Sequence, residues 1–207
     1  TGGDTRKTLG LPVELPAFAN MVLAGAKRRI DIGMAEYEGS PGSRTTRAFI
    51  NIADMGVGSE VVARVNASSK RFGGFISFLS STLATLLRYS PRDVEIAIDG
   101  GKPERVALVI LAAANCRYFG GGMHIAPKAD PADGFLDVVV VSDLPRLALF
   151  ANIHRIYFGT HLGLPYVSLH HATKITVTSL SDSAPSFSRT RAMCWSTVRV
   201  SRLMERS

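Results

Sequence analysis

Apolar and polar positions alternate with a period of two over much of the middle of the chain. "RRIDIGMAEYEG" (Arg28–Gly39) and "RTTRAFINIADMG" (Arg44–Gly56) carry β-branched and aromatic residues on either side of "SPGS" (Ser40–Ser43), which predicts a hairpin with a four-residue turn. The period then lengthens. "SEVVARVNASSKRF" and "FISFLSSTLATLLRYS" place apolar residues at helical spacing, predicting helices over Ser59–Ser69 and Phe75–Arg88. "DVEIAIDGGKPERVALVILAAAN" follows as two strands joined by Asp-Gly-Gly, a strong hairpin signal. After "FLDVVVV", a third helix is predicted over Leu144–Tyr157, stopped by Gly159, and "TKITVTSL" is a last strand. No repeat, low-complexity tract or linker interrupts the series. The pattern predicts an α+β fold, mostly an antiparallel β-sandwich in two layers with about three helices.

Composition narrows the class. With 207 residues, 46% apolar and 20% charged, the chain can bury a core and lacks the profile of a disordered tail. Its longest apolar run, Val106–Cys116, is too short to cross a bilayer as a helix. The chain starts without an initiating methionine or an apolar leader and reads as a fragment. Two cysteines, Cys116 and Cys194, form no framework and fit a reducing compartment. Of the net charge of +7, nearly all lies after Leu144, where eight basic residues face two acidic ones. That excess suits a phosphate, a nucleic acid or an anionic membrane, and equally a solvated face. Nucleic acid is disfavoured because aromatic residues are not interleaved with the basic ones.

Candidate chemistry concentrates in "YFGGGMHIAPKADPADGFLDVVVV", Tyr118 to Val141. Gly120–Gly122 permit positive φ and leave the backbone bare, which serves a bulge, a wide turn or a ligand cradle. Asp130 and Asp133 sit in turn dipeptides, where aspartate caps its own turn. The same carboxylates are hard oxygen donors on one face of a turn, suited to Mg²⁺. None of the five histidines has zinc spacing, and His161 reads as a packing or hydrogen-bonding residue while His170 and His171 read as exposed. No G-x-S-x-G elbow supports serine hydrolysis.

The order of segments resembles the bacterial diacylglycerol kinase and sphingosine kinase-like lipid kinases, in their C-terminal half. The likeness rests on "TGGDTRKTLGLP", "IDIG", "RAFINIADMGVGSEVV", "GTHLGLPYV" and above all Asn115–Asp137, which fits N-x-R-x-F-G-G-G-M followed by A-P-x-A-x-x-x-D-G. It implies a β-sandwich lipid-side domain over residues 13–207, preceded at 1–12 by the end of a nucleotide-binding motif. It implies ATP and Mg²⁺ as cofactors, a lipid substrate, an anionic membrane surface and a nucleotide-binding domain as partners, a possible homodimer, and a cytoplasmic location peripheral to membrane. By the same resemblance Thr1, Gly2, Gly3 and Asp4 match the stretch that contacts nucleotide, with Gly3 standing where the family has asparagine. Asp130, Asp133 and the carbonyl of Phe135 match a structural Mg²⁺ site, and the helix Gly73–Ser90 with the sandwich cleft would receive acyl chains. The family's Gly-Asp-Gly-Thr phosphate loop has no counterpart here, and its Asp-Gly-Glu base is missing after "TKITVTSL", where Asp182 and Glu205 are the only acids. No catalytic residue is therefore assigned. The residues from Ser188, with five arginines and Trp195, read as a divergent tail or a shifted reading frame. The rival function is a non-catalytic lipid- or membrane-binding β-module.

Overall fold

The computed structural model describes residues 3–25, 27–40, 43–57, 85, 89–142, 145, 148, 151–180 and 195–202. Two helices open the chain, α1 (Gly3–Leu9) and α2 (Leu15–Leu23). Nine strands follow: β1 (Asp31–Ser40), β2 (Ser43–Phe49), β3 (Ile52–Gly56), β4 (Arg92–Ile98), β5 (Glu104–Ala114), β6 (Leu136–Ser142), β7 (Val167–Ala172), β8 (Lys174–Ser179) and β9 (Trp195–Arg202). Helix α3 (Arg155–Phe158) and a 3-10 turn (Thr160–Gly163) link β6 to β7. All strand pairs among the described residues are antiparallel, in the order β2-β1-β9-β8-β4-β5-β6-β7, with β3 paired to β5 off that path. The α+β, mostly antiparallel sandwich expected from periodicity is present.

The strands share one core. Ala35 of β1, Met55 of β3, Leu111 of β5, Leu136 and Val138 of β6, Ile175 of β8 and Val198 of β9 share a single buried cluster, although β1 and β6 lie far apart in strand order. A second layer of side chains, including Ala112, Ile125 and Val139, fills the opposite side of β5 and β6. These two strands are thus covered on both faces, which is why "FLDVVVV" is apolar on both faces of the strand apart from Asp137. Each such buried Val or Leu contributes about 1.5–3 kcal/mol relative to exposure.

The Asp-Gly-Gly signal gives the β4–β5 hairpin. Asp99 and Gly100 both take left-handed dihedrals, φ 48° and 74°, as a primed turn requires. The Asp99 carboxylate also accepts bonds from the Thr173 and Lys174 amides and the Thr173 hydroxyl, tying this turn to the start of β8.

Three expectations change. The segment Arg44–Gly56 is two strands, because Asn51 is pinned: its carbonyl accepts the Asn115 and Cys116 amides and its Nδ2 donates to the Tyr118 carbonyl. The chain therefore leaves β1 after Phe49 and joins β5 from Ile52. The atypical tail supplies β9, inserted between β1 and β8, with Val198 fully buried. Helix α1 occupies the stretch expected only as the end of a motif (1–12), and helix α2 falls within the stretch expected as β-sandwich (13–207). The helix expected over Ser59–Ser69 lies outside the described residues, as does all of Phe75–Arg88 except the helical, buried Thr85. Of Leu144–Tyr157, the described end is α3, and Gly159 at φ 69° terminates it as expected.

Candidate functional site

β5 ends in Ala114, and the chain then turns through Asn115–Arg117 into a glycine loop closed by the Phe119–Met123 bridge. Gly120, Gly121 and Gly122 all have positive φ, 59°, 85° and 105°, a run that side chains rarely adopt. Helix α1 covers the loop. The Gly121 amide donates to Asp4 Oδ2 at 3.0 Å, and the Arg117 amide donates to Thr8 Oγ1 at 3.0 Å. Lys7 Nζ lies 5.5 Å from the Tyr118 ring centre and would be 3.2 Å from a Cβ placed on Gly122. His124 stacks on Tyr118, with ring centres 4.4 Å apart. A Cβ on Gly121 would meet nothing within 4 Å, so the triplet is called for by its positive φ, and two sequence-predicted groups, Asp4 and the triplet, meet directly. Gly3 begins α1, while Thr1 and Gly2 lie outside the described residues.

Under this seam Asn115 is 1% exposed and its Nδ2 donates to the carbonyls of Asp31 (2.9 Å) and Ile50 (2.8 Å). Cys116 is wholly buried, and burial pushes its thiol up, so it is poorly suited as a nucleophile. Burial, helped by Arg117, pushes His124 down. His161 is buried, bonds the Ile125 carbonyl through Nε2 at 3.0 Å and is also held down by burial, in keeping with a packing role.

The acidic turn lies beyond, at the start of β6. Asp130 Oδ1 accepts the Ala132 amide (3.1 Å) and Asp133 Oδ1 accepts the Phe135 amide (2.9 Å), so each carboxylate caps its own turn with one oxygen. The Gly134 amide donates to Asp31 Oδ2 at 2.6 Å, fastening the turn to β1. Among the described residues no three His, Cys, Asp or Glu side chains are placed to hold a metal. The second oxygen of Asp130 and of Asp133, with a main-chain carbonyl, is still the donor chemistry that Mg²⁺ takes.

Sequence reasoning missed Asp137 and its partner. His171 pairs with Asp137 across β6 and β7, its Nε2 is 3.0 Å from Asp137 Oδ1 and 3.8 Å from Asp133 Oδ2, and Phe135 stacks on its ring. Asp137 is 3% exposed, and its Oδ2 is buried without a hydrogen-bond partner. Burial raises its carboxyl, Asp133 adds to the rise, and His171 and Lys128 oppose it. An acid inside the apolar run of β6 was the available signal.

Because the folded carboxyl lies above its ordinary value of 3.8, the folded chain holds that proton more tightly than the unfolded chain. Its contribution to stability therefore falls as pH rises from the ordinary value through the raised one. Asp137→Asn keeps an acceptor for His171 and removes the titration. The stability of the variant relative to the parent is expected to increase over that interval, read from denaturant melts at a series of pH values. A difference that does not vary with pH would contradict the assignment.

Comparison with known proteins gives three findings. Residues 51–189 match the family model described as YegS C-terminal NAD kinase beta sandwich-like domain. A diacylglycerol kinase of Mycobacterium tuberculosis is 30% identical over 178 residues, 86% of this chain and 56% of that enzyme. A Pseudomonas putida protein named "Probable lipid kinase YegS-like" is 31% identical over 141 residues, 68% of this chain and 44% of its own length. The chain spans about half the length of these curated relatives. A crystal structure of a diacylglycerol kinase from Bacillus anthracis str. Sterne superposes with a TM-score of 0.59 at 16% identity, covering 96% of this chain and 60% of that one. At that identity the superposition speaks for the fold.

Proposed function

The chain belongs to the family of the YegS C-terminal NAD kinase beta sandwich-like domain, and we propose on that premise that it forms the lipid-side half of an ATP-dependent lipid kinase. The reaction is transfer of the γ-phosphoryl group of ATP to a lipid hydroxyl, of a diacylglycerol-like or sphingoid acceptor. The observation that carries this reading is the seating of α1 on the glycine loop by Asp4 and Thr8. It places the stretch matched to nucleotide contact against the most family-specific segment of the sandwich.

Bound Mg-ATP would supply the phosphoryl group and neutralise its developing charge. This chain's own residues do the rest of the positioning. Asp4 and Thr8 fix α1, and Lys7 brings a cation to the seam, where a polyphosphate is favoured. Asp130, Asp133 and the Phe135 carbonyl are the groups that would hold Mg²⁺ as a structural ion beside β6. No helix of the described residues is long and apolar enough to cross a membrane, and lipid access is proposed from an anionic membrane surface.

A sandwich that carries only the edge of the nucleotide motif binds the cofactor weakly. Titration calorimetry of the chain with Mg-ATP is expected to show no saturable heat at micromolar concentration, and micromolar affinity would overturn the division of labour. The chain on its own is likewise proposed to be inactive.

A further inference from the structure

Asp137 and His171 face each other across β6 and β7. Asp137 is 3% exposed, and its Oδ2 has no hydrogen-bond partner. A buried carboxylate with one oxygen unpaired costs stability, so its presence calls for an explanation. That explanation lies in what His171 touches. Its Nε2 is bonded to Asp137 Oδ1 at 3.0 Å and stands 3.8 Å from Asp133 Oδ2, and its ring stacks on Phe135 with centres 5.5 Å apart. Asp133 and Phe135 are two of the three residues through which the acidic turn would hold Mg²⁺. We propose that His171 is a positioning residue of that cation site: anchored by Asp137, it sets the Asp133 carboxylate and the Phe135 main chain in place for a divalent ion. The inference rests on the metal reading of the turn.

The turn needs such a brace. One side of it is fastened to β1, where Asp31 Oδ2 accepts the Gly134 amide at 2.6 Å and the Asp31 amide donates to the Pro131 carbonyl at 2.7 Å. On the other side Asp130 Oδ1 and Asp133 Oδ1 cap only their own turn, and Phe135 is 43% exposed. Burial therefore does not hold the Phe135 ring; its stack on His171 does. Donors are few as well. Among the described residues no three His, Cys, Asp or Glu side chains are placed to hold a metal, so the two carboxylates must be completed by a main-chain carbonyl. With so few protein donors, affinity depends on how well the turn is preset by the groups behind it.

Two other roles for His171 fit less well. It is not itself a ligand, because Mg²⁺ takes oxygen donors and the Nε2 is already engaged by Asp137. Nor is it simply a strut of the sheet. Six residue pairs, Leu136–Ala172 through Val141–Val167, join β6 to β7 by their main chains, and the His171 side chain is 51% exposed. The strand pair stands without it, whereas the outer side of the turn does not.

The test measures Mn²⁺ binding to the full 207-residue chain at one fixed pH, from the paramagnetic resonance signal of the free ion. Mn²⁺ is the probe because it takes the same carboxylate and carbonyl donors as Mg²⁺. The parent is expected to bind it at a site for which Mg²⁺ competes and which Asp133→Asn removes. His171→Ala is expected to weaken that affinity by about tenfold or more. His171→Gln keeps a donor for Asp137 and loses the ring. It is expected to weaken binding as well, with the thermal midpoint unchanged, so that lost folding does not account for the effect. Either variant, folded and binding Mn²⁺ within about threefold of the parent, overturns the proposal. Unfolding of both variants also overturns it, since His171 is then a structural residue. A parent that binds no Mn²⁺, or binds it as well after Asp133→Asn, sinks the metal reading and this inference with it; parent binding that the His171 variants leave intact sinks this inference alone.

Discussion

Gly56→Ala is expected to destabilise the fold by about 3 kcal/mol or more. Gly56 ends β3 with φ 93°, opposite Ile110 of β5, and a Cβ there would collide with the Val109 carbonyl. Both the strain and the obstacle are backbone, so no side chain can swing aside to relieve them. Gly100→Ala provides the comparison. Gly100 also has positive φ (74°), but nothing lies within 4 Å of its Cβ position, so only the dihedral cost of about 1–2 kcal/mol applies. Urea melts of the two variants against the parent separate the terms. Equal losses would mean that β3 does not approach β5 as closely as described.

Asn115→Ala is expected to cost about 2–4 kcal/mol, because the buried Asp31 carbonyl and the part-buried Ile50 carbonyl lose the same amide donor and a cavity is left at a 1% exposed site. Those carbonyls belong to Asp31 at the start of β1 and to Ile50 at the crossing between β2 and β3, so the amide joins three chain segments at one point. The effect reaches the acidic turn, since Asp31 holds the Gly134 amide and its own amide donates to the Pro131 carbonyl. Asn115→Asp is expected to be worse, because it turns a carboxylate oxygen towards two carbonyls. Thermal melts, with exchange of the Gly134 amide as a local probe, check both. Asn115→Ala within about 0.5 kcal/mol of the parent would contradict the staple.

How far the sequence told this in advance depends on the residue. The β4–β5 hairpin was legible because Asp99-Gly100 states its own dihedrals, and β8 because "TKITVTSL" alternates. The break at Ile50-Asn51 was not, since it depends on Asn51 bonding to residues more than 60 positions away, and local periodicity carries no such information. β9 was obscured by its basic and polar residues: Arg199 is exposed while the neighbouring Val198 fills the core. At the candidate site, the glycine triplet and Asp4 were each legible, but only the fold shows that one receives the other. The turn aspartates were read both as caps and as ligands, and the capping bonds are present. Asp137 was hidden because its partner His171 comes from an edge strand that the pattern did not reveal.

The central claim, that this chain supplies the lipid side of a kinase and depends on a nucleotide-binding half, is tested most directly by phosphoryl transfer. Diacylglycerol in mixed micelles with radiolabelled Mg-ATP should acquire label when the 207-residue chain is joined to the portion of the Mycobacterium tuberculosis diacylglycerol kinase that lies outside the match. It should acquire none above background with either part alone. Label transferred by the unjoined chain, or no transfer by a joined protein that is folded and binds Mg-ATP, would contradict the account.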